Sequence, residues 1–173
     1  MRRKLFICVR FGFQLAALAA LGPAGSAGQQ PRSDASPHAE IRRTVLPIER
    51  SSRFGAILVS LEVNGKPAVL ILDTGSNTTI LSPEISGLDP SRLPHAATPQ
   101  KGTGFVGDGR WGRATLTIGA TVWKDKRVLI VDTKDLSRAL ERKIDGILGQ
   151  DILDEFQYVE INLVEKRLTL GFR

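Results

Sequence analysis

The sequence has very few of the side chains that form crosslinks or bind metal ions. Among 173 residues there are one cysteine, Cys8, and two histidines, His38 and His95. A single cysteine cannot form a disulfide within the chain, and Cys8 lies in an N-terminal segment that we expect to be removed. Two histidines without a neighbouring cluster of cysteine or acidic residues do not make a metal site. We therefore expect exposed histidines, no metal ion and a fold that is stabilised by packing alone.

The apolar run near the N-terminus, residues 11–21, is shorter than the roughly 20 residues that a membrane-spanning helix needs. Basic residues 2–4 precede it and small residues crowd positions 24–28, which is the three-part layout of a secretory signal. We predict a signal peptide over residues 1–28, and the alternative is an uncleaved anchor. A cleaved signal peptide predicts a periplasmic or other extracytoplasmic protein. An uncleaved anchor predicts a membrane-tethered protein that faces the periplasm.

A strong excess of one charge is also missing once the predicted signal is set aside. The full sequence has 24 basic and 18 acidic residues, which gives a formal net charge of +6. Four basic residues lie in the signal, so 20 remain against 18; they are Arg2, Arg3, Lys4 and Arg10. In the rest of the chain the two signs are interspersed, with no block of lysine and arginine. This pattern argues against nucleic acid as a partner.

The remaining sequence divides into a leader and one domain. Residues 29–40 are rich in proline, serine and glutamine and have little apolar content, so we expect them to be disordered. Residues 41–173 have short runs of β-branched and alternating apolar residues, which predict an all-β domain. The predicted strands are residues 44–48, 56–63, 67–72, 78–81, 113–118, 128–131, 158–163 and 167–172.

Local signals predict how several of these strands are connected. Asn64-Gly65 is typical of a two-residue hairpin, because both residues tolerate positive φ. Ser82-Pro83 is typical of a helix start, with serine as the cap and proline at the first helical position. We also predict a charged turn at residues 124–126 and a short helix at residues 135–143.

Six glycines between residues 100 and 119 indicate a mobile β-hairpin. Gly102, Gly104 and Gly107 also match the G-x-G-x-x-G pattern of a dinucleotide-binding loop. That loop opens a helix that holds the phosphates, whereas a β-patterned segment follows here. We therefore expect no nucleotide cofactor, and we place the hairpin tip between Phe105 and Gly109, with Asp-Gly as its type I′ turn.

The sequence Asp-Thr-Gly-Ser at residues 73–76 carries the most specific chemistry. Alone it is a short match, and its aspartate could simply cap its own turn. Here it follows the apolar strand at residues 67–72, the glycine-rich hairpin comes about thirty residues later, and Ile147-Leu148-Gly149 then precedes a short helix. In this order and spacing, residues 54–173 resemble the retropepsin-like, single-lobed aspartic proteases.

The resemblance implies a single-lobed acid-protease fold, which is a closed β barrel with one or two short helices. It implies that Asp73 is the catalytic carboxylate and that Thr74 bonds across a dimer beneath the two aspartates. The residues that would support the active-site loop are Thr74, Gly75, Ser76, Asn77, Leu148, Gly149 and Gln150. The substrate-binding flap would comprise Phe105, Val106, Gly107, Asp108 and Gly109.

The chain has one Asp-Thr-Gly sequence, although the implied chemistry needs two facing carboxylates. Asp145 and Asp108 each precede a glycine and are the alternatives for a second acid within the chain, but neither has the Thr-Gly or Ser-Gly continuation. The resemblance therefore implies a homodimer with one Asp73 from each copy, a peptide or protein substrate and no cofactor.

One pair of positions departs from the viral members of this family, which have an aspartate and an arginine that form an ion pair there. This chain has Asn77 and Gln150, so an amide-to-amide hydrogen bond would replace the ion pair. The sequence thus predicts an exported aspartic endopeptidase. The alternative is a non-catalytic peptide-binding or interaction module of the same fold in the cell envelope, in which Asp73 only caps its loop.

Overall fold

The computed structural model describes residues 42–96, 100–102 and 105–172. The predicted signal peptide, the leader at residues 29–40 and His38 lie outside these residues. In the described part of the chain no helix has the length and apolar character that crossing a membrane requires.

The described residues form a β structure with three short α-helices and one 3-10 turn at Pro90–Arg92. The strands are Arg43–Arg50 (β1), Ile57–Val63 (β2), Lys66–Leu72 (β3), Ile80–Leu81 (β4), Gln100–Gly102 (β5), Phe105–Gly107 (β6), Arg110–Ile118 (β7), Thr121–Ile130 (β8), Gly146–Leu148 (β9), Tyr158–Asn162 (β10) and Arg167–Gly171 (β11). The α-helices are Pro83–Ser86 (α1), Lys134–Ala139 (α2) and Gln150–Leu153 (α3).

Six strands close into a barrel. They pair in the order β2, β3, β9, β4, β8 and β7, and β7 pairs again with β2 through Glu62 opposite Thr117 and Val63 opposite Leu116. Alternating residues of these strands fill the interior, because successive side chains of a strand point to opposite faces. Fully buried side chains of this core include Val63, Leu70, Leu116, Val128 and Leu148.

The remaining long strands form an extension of the barrel. β11 lies between β10 and the first half of β1, and both pairings are antiparallel. The second half of β1 pairs with β2, so one continuous strand joins the extension to the barrel. The ring of Phe156 packs against Trp123 on one side and Phe172 on the other, with centroids 5.6 Å and 4.8 Å away, which fastens the C-terminal segment to β8.

Two connections form as their local sequence predicts. Asn64 and Gly65 have φ of 50° and 75° and join β2 to β3 in a tight hairpin. Ser82 caps α1, and its hydroxyl accepts a hydrogen bond from the Ile85 backbone N–H at 3.2 Å, with Pro83 at the start of the helix. These signals act within four residues, so tertiary contacts do not override them.

The predicted turn at residues 124–126 is wrong, because one continuous strand, β8, runs from Thr121 to Ile130. Asp125 has φ of 54°, and the pairing register shifts between Ala114 and Leu116 on the neighbouring strand. The charged residues therefore form a bulge within a long hairpin rather than its end. The turn lies at residues 119–120, where Gly119 has φ of 58°.

The predicted position of the glycine-rich hairpin tip is also wrong. β5 and β6 do form a two-stranded antiparallel hairpin, but Gly102 pairs with Phe105. The connection is therefore residues 103–104, which lie outside the described residues. Asp108 and Gly109 follow β6, and neither has the positive φ that a type I′ turn requires.

Candidate active site

Asp73 directly follows the carboxyl end of β3, which lies between β2 and β9 in the barrel. β3 pairs with the parallel strand β9, and Leu72 is opposite Leu148. One step beyond this pair, the Asp73 backbone N–H donates to the Leu148 carbonyl at 3.1 Å. The barrel therefore fixes the backbone of Asp73, while its half-buried side chain lies at the end of the sheet.

The residues after Asp73 turn sharply around its carboxylate. The Gly75 backbone N–H donates to Asp73 Oδ1 at 2.8 Å, and the Ser76 N–H donates to the Asp73 carbonyl at 3.3 Å. A Cβ atom on Gly75 would lie 3.2 Å from Asp73 Oδ1, which is tighter than most real contacts. Glycine therefore allows this close turn. Thr74 and Gly75 are exposed, so the loop presents its tip to solvent in the single chain.

A second segment, residues 148–150, packs directly beneath this loop. The Gln150 N–H donates to the Ser76 carbonyl at 2.7 Å, and Ser76 Oγ donates to the Thr78 carbonyl at 2.8 Å. A Cβ atom on Gly149 would lie 2.7 Å from the carbonyl carbon of Thr78 and 2.9 Å from the Ser76 oxygen. Glycine is required here because the two backbones are in contact. The predicted packing of the Ile-Leu-Gly segment under the loop is observed.

The expected amide-to-amide bond is not present, since no hydrogen bond joins the side chains of Asn77 and Gln150 in the described structure. The loop is joined to α3 by a different pair. Thr79, which is fully buried, donates from Oγ1 to Asp151 Oδ1 at 2.7 Å and accepts from the Gly149 N–H at 3.1 Å. Asn77 is exposed and lies outside this arrangement.

Sequence reasoning missed Thr79 and Asp151. They are 72 positions apart, and a threonine beside a short strand or an aspartate in a short helix has no distinctive local pattern. The available signal was their position, since Thr79 lies three residues after the Asp-Thr-Gly-Ser motif and Asp151 lies two residues after Ile-Leu-Gly.

Strand β8 also contacts α3 and the residues that follow it. Lys126 Nζ donates to the Asp151 carbonyl at 3.1 Å and forms an ion pair with Glu155, and Trp123 Nε1 donates to Glu155 Oε2 at 2.8 Å. The hydrogen bond from Lys126 is the main reason that the pKa of Glu155 lies below its usual value, although partial burial opposes this shift.

Asp145 does not face Asp73. It precedes β9 and lies opposite Val69, whose N–H donates to Asp145 Oδ2 at 2.9 Å. Asp73 follows the other end of the same strand pair, which places the two aspartates about 13 Å apart along the sheet. The side chain of Asp145 is buried, and its Oδ1 has no hydrogen-bond partner in the described part, although Lys143 Nζ lies 3.3 Å away.

Asp108 pairs with basic groups near the foot of the β5–β6 hairpin. Its Oδ1 lies 3.3 Å from His95 Nδ1, and its Oδ2 lies 3.5 Å from an Arg110 nitrogen. His95 and Arg110 also form an isolated β-bridge. His95 is exposed, as predicted. These contacts occupy the Asp108 carboxylate and give it no connection to the Asp73 loop among the described residues.

The predicted flap residues divide between two parts of the structure. Residues 105–107 form β6 of the small hairpin, and Asp108 and Gly109 lead from it into β7. Gly109 is packed against Leu129, since a Cβ atom there would lie 2.8 Å from Leu129 Cδ1. The hairpin thus leads directly into the barrel strand β7, and its role as a flap stays a prediction. Within the described ranges no three acidic, histidine or cysteine side chains cluster to form a metal site.

Three solved structures are similar to this chain. A retropepsin-like aspartic protease from Rickettsia conorii is similar, with 18% identity, a TM-score of 0.56 and coverage of 77% of this chain and 92% of that one. A protease of EIAV in complex with the inhibitor HBY-793 has 23% identity, a TM-score of 0.42 and coverage of 56% and 84%. The retroviral protease-like domain of Ddi1 from Leishmania major has 17% identity, a TM-score of 0.41 and coverage of 65% and 86%.

The predicted fold class is confirmed as an all-β, retropepsin-like closed barrel, and its described residues contain three short α-helices where one or two were expected. No curated protein matches the chain. A family model described as aspartyl protease matches residues 59–152, which include both the Asp73 loop and the Ile-Leu-Gly segment. This match covers more than half of the chain, and the protein therefore belongs to the aspartyl protease family.

Proposed function

We propose that this protein is an aspartic endopeptidase whose active site contains two copies of Asp73, one from each subunit of a homodimer. The observation that carries the proposal is the placement of this side chain. Asp73 is half-buried at the end of the barrel, on an Asp-Thr-Gly loop whose backbone is hydrogen-bonded to Leu148 and Gln150. A carboxylate in a fixed position with an open approach suits general acid–base chemistry.

Peptide hydrolysis at such a site needs two carboxyl groups in different protonation states. One Asp73 carboxylate takes a proton from a water molecule, and the water oxygen attacks the peptide carbonyl carbon. The protonated partner donates its proton to the carbonyl oxygen, which gives a tetrahedral intermediate. The C–N bond then breaks as the first Asp73 passes the proton from water to the leaving nitrogen, and the second Asp73 takes back its proton as the carboxyl product forms. Two carboxylates held about 3 Å apart cannot both ionise, so they share one proton in the resting enzyme.

A dimeric site is supported because the described residues of the single chain offer one carboxylate in this setting. Asp145, the other aspartate associated with these motifs, lies at the opposite end of the β3–β9 pair, where it bonds to Val69. Thr74 is exposed beside Asp73, so its hydroxyl is available to a second copy of the loop. A twofold axis through this loop brings the two Asp73 residues together with the same surface on each subunit.

The substrate in this proposal is a peptide or an unfolded protein segment. The β5–β6 hairpin lies between the bridge residues His95 and Arg110 and is the element that we assign as the flap. A strand-like substrate under such a hairpin can form main-chain hydrogen bonds, which bind peptides without a strict demand on sequence.

The proposal is tested by comparing two isosteric substitutions. Asp73→Asn removes the acid–base group and retains the turn, so cleavage of a pool of quenched fluorescent peptides should fall at least about 100-fold. Asp132→Asn is the matched control, because Asp132 Oδ1 also accepts a backbone N–H two residues later at 2.8 Å. The Asp132→Asn control should cleave the peptides at the rate of the unmodified protein, and pepstatin should inhibit both of these proteins.

Unchanged cleavage by Asp73→Asn would overturn the assignment. A folded, unmodified protein that cleaves no peptide between acidic and neutral pH would favour a peptide-binding module of the same fold.

A further inference from the structure

Thr79 occupies a buried position between the two segments of the candidate active site. It follows the Asp73 loop, is fully buried, and its hydroxyl forms two hydrogen bonds. Oγ1 accepts from the Gly149 N–H at 3.1 Å and donates to Asp151 Oδ1 at 2.7 Å. The acceptor is a carboxylate, and hydrogen bonds to ionised acceptors are stronger than those between neutral groups.

The two bonds act on the segment that holds Asp73. Residues 148–150 bond to the loop through Asp73 N–H to the Leu148 carbonyl and through Gln150 N–H to the Ser76 carbonyl. Gly149 lies between these two bonds, and its N–H is the group that Thr79 accepts from. Leu148 and Gln150 are the two residues whose backbones bond to the Asp73 loop, and a shift of Gly149 would move both of them.

Asp151 is itself held from a second direction. Lys126 of β8 donates to its carbonyl oxygen at 3.1 Å and pairs with Glu155 one turn later. The carboxylate of Asp151 thus points to Thr79 while its backbone is fixed to the barrel wall. Asn77 and Gln150, the pair expected to brace the loop, form no bond with each other in the described structure. The bond between the buried Thr79 and Asp151 joins the loop to α3 instead.

We infer that Thr79 and Asp151 are positioning residues for Asp73, and that the hydrogen bond from the Thr79 hydroxyl to the Asp151 carboxylate serves in this chain as the brace between the catalytic loop and α3. The inference rests on the proposed function for its effect on catalysis, whereas the brace itself is a property of the folded protein. Thr79 is fully buried and the Asp151 carboxylate points to it, so the loss of either side chain should act on turnover through geometry. A displacement of a catalytic group by about 1 Å can lower turnover about 100-fold.

The test compares valine and serine at position 79. Thr79→Val keeps the shape and removes the hydroxyl, so kcat should fall about 10- to 100-fold with KM changed less than about threefold. Thr79→Ser restores the hydroxyl and should return kcat to within about threefold of the unmodified enzyme. Thr169→Val is the matched control, because Thr169 is also buried but lies in β11, and it should leave kcat within about twofold.

A second substitution tests whether the two residues act through one bond. Asp151→Ala should lower kcat by itself and should add little to Thr79→Val, because both remove the same interaction. Fully additive losses, or a Thr79→Val enzyme with unchanged kcat, would overturn the inference.

Amide hydrogen exchange separates failure of the brace from failure of the proposed function. Thr79→Val should increase exchange at least about tenfold in the peptides that contain residues 73–79 and 148–151, and Thr169→Val should not. This result is expected even if the unmodified protein cleaves no peptide, an outcome that would refute the proposed function alone. Unchanged exchange in both peptides would overturn the brace whatever the activity.

Discussion

At the scale of single residues, two aspartates near the same pair of strands have different environments. Asp73 is half-buried and accepts a bond from Gly75 within its own turn. Asp145 is buried at the far end of the pair and accepts the N–H of Val69, which belongs to another strand. The first arrangement leaves a carboxylate accessible to a reactant, and the second satisfies a backbone donor inside the protein.

This difference predicts a purely structural role for Asp145. Asp145→Ala leaves the Val69 N–H without its acceptor, and an unsatisfied buried donor costs about 1–3 kcal/mol. The free energy of unfolding measured in urea should fall by this amount. Lys143→Ala, which removes an exposed cation 3.3 Å from the same carboxylate, should cost less than about 0.5 kcal/mol. Equal stability of Asp145→Ala and the unmodified protein would contradict the role.

The sequence identifies some site residues better than others. The turn around Asp73 is predictable because Gly75 and Ser76 both donate hydrogen bonds to Asp73. These residues are only two and three positions apart, so the local sequence determines the turn. The bond between Thr79 and Asp151 is not predictable in this way, because the fold brings together residues that are 72 positions apart. The residue identities at Asn77 and Gln150 suggested a bond, but identity alone does not fix where two side chains point.

At the scale of elements, helix α3 is short and depends on contacts with β8. It spans four residues, too few to be stable alone, and Lys126 and Trp123 bond to the segment through Asp151 and Glu155. The ion pair between Lys126 and Glu155 is partly exposed, so we expect a modest contribution to stability.

The lowered pKa of Glu155 predicts a specific pH dependence. A carboxyl group whose pKa is lower in the folded state than its usual value of 4.5 stabilises the fold above that pH. The contribution is lost as the pH falls through the folded-state pKa, because Glu155 then becomes protonated. Glu155→Gln should therefore reduce the free energy of unfolding at pH 7 by less than about 1 kcal/mol, with the difference vanishing in acid.

Chemical denaturation at several pH values measures this difference. Glu62→Gln provides the control, since Glu62 is exposed on β2 and forms no ion pair in the described structure. A deficit for Glu155→Gln that stays constant from pH 7 to pH 3 would contradict the assigned role of the ion pair.

The elements that the sequence predicts correctly have local determinants. Asn64-Gly65 and Ser82-Pro83 specify their turn and helix start by themselves. The continuity of β8 through Asp125 depends on pairing with β7, which absorbs the bulge as a register shift. A charged triplet looks like a turn from sequence alone because its tertiary partner is not visible there.

At the scale of the whole molecule, one barrel contains one Asp-Thr-Gly loop. The fold and the family follow from the closed six-stranded ring and the match over residues 59–152. The division of the chain at residues 28 and 40 and its export stay predictions, because they concern residues outside the described ranges. The proposed chemistry needs a homodimer, because each barrel contributes one Asp73 carboxylate.

The most direct measurement of this central claim is the activity of mixed subunits. Equal amounts of unmodified protein and Asp73→Asn are mixed, allowed to exchange subunits, and assayed at constant total concentration. If every active site needs two Asp73 carboxylates, random pairing leaves about one quarter of the activity of the unmodified protein. A chain that is active by itself would retain about one half, and that result would contradict the account.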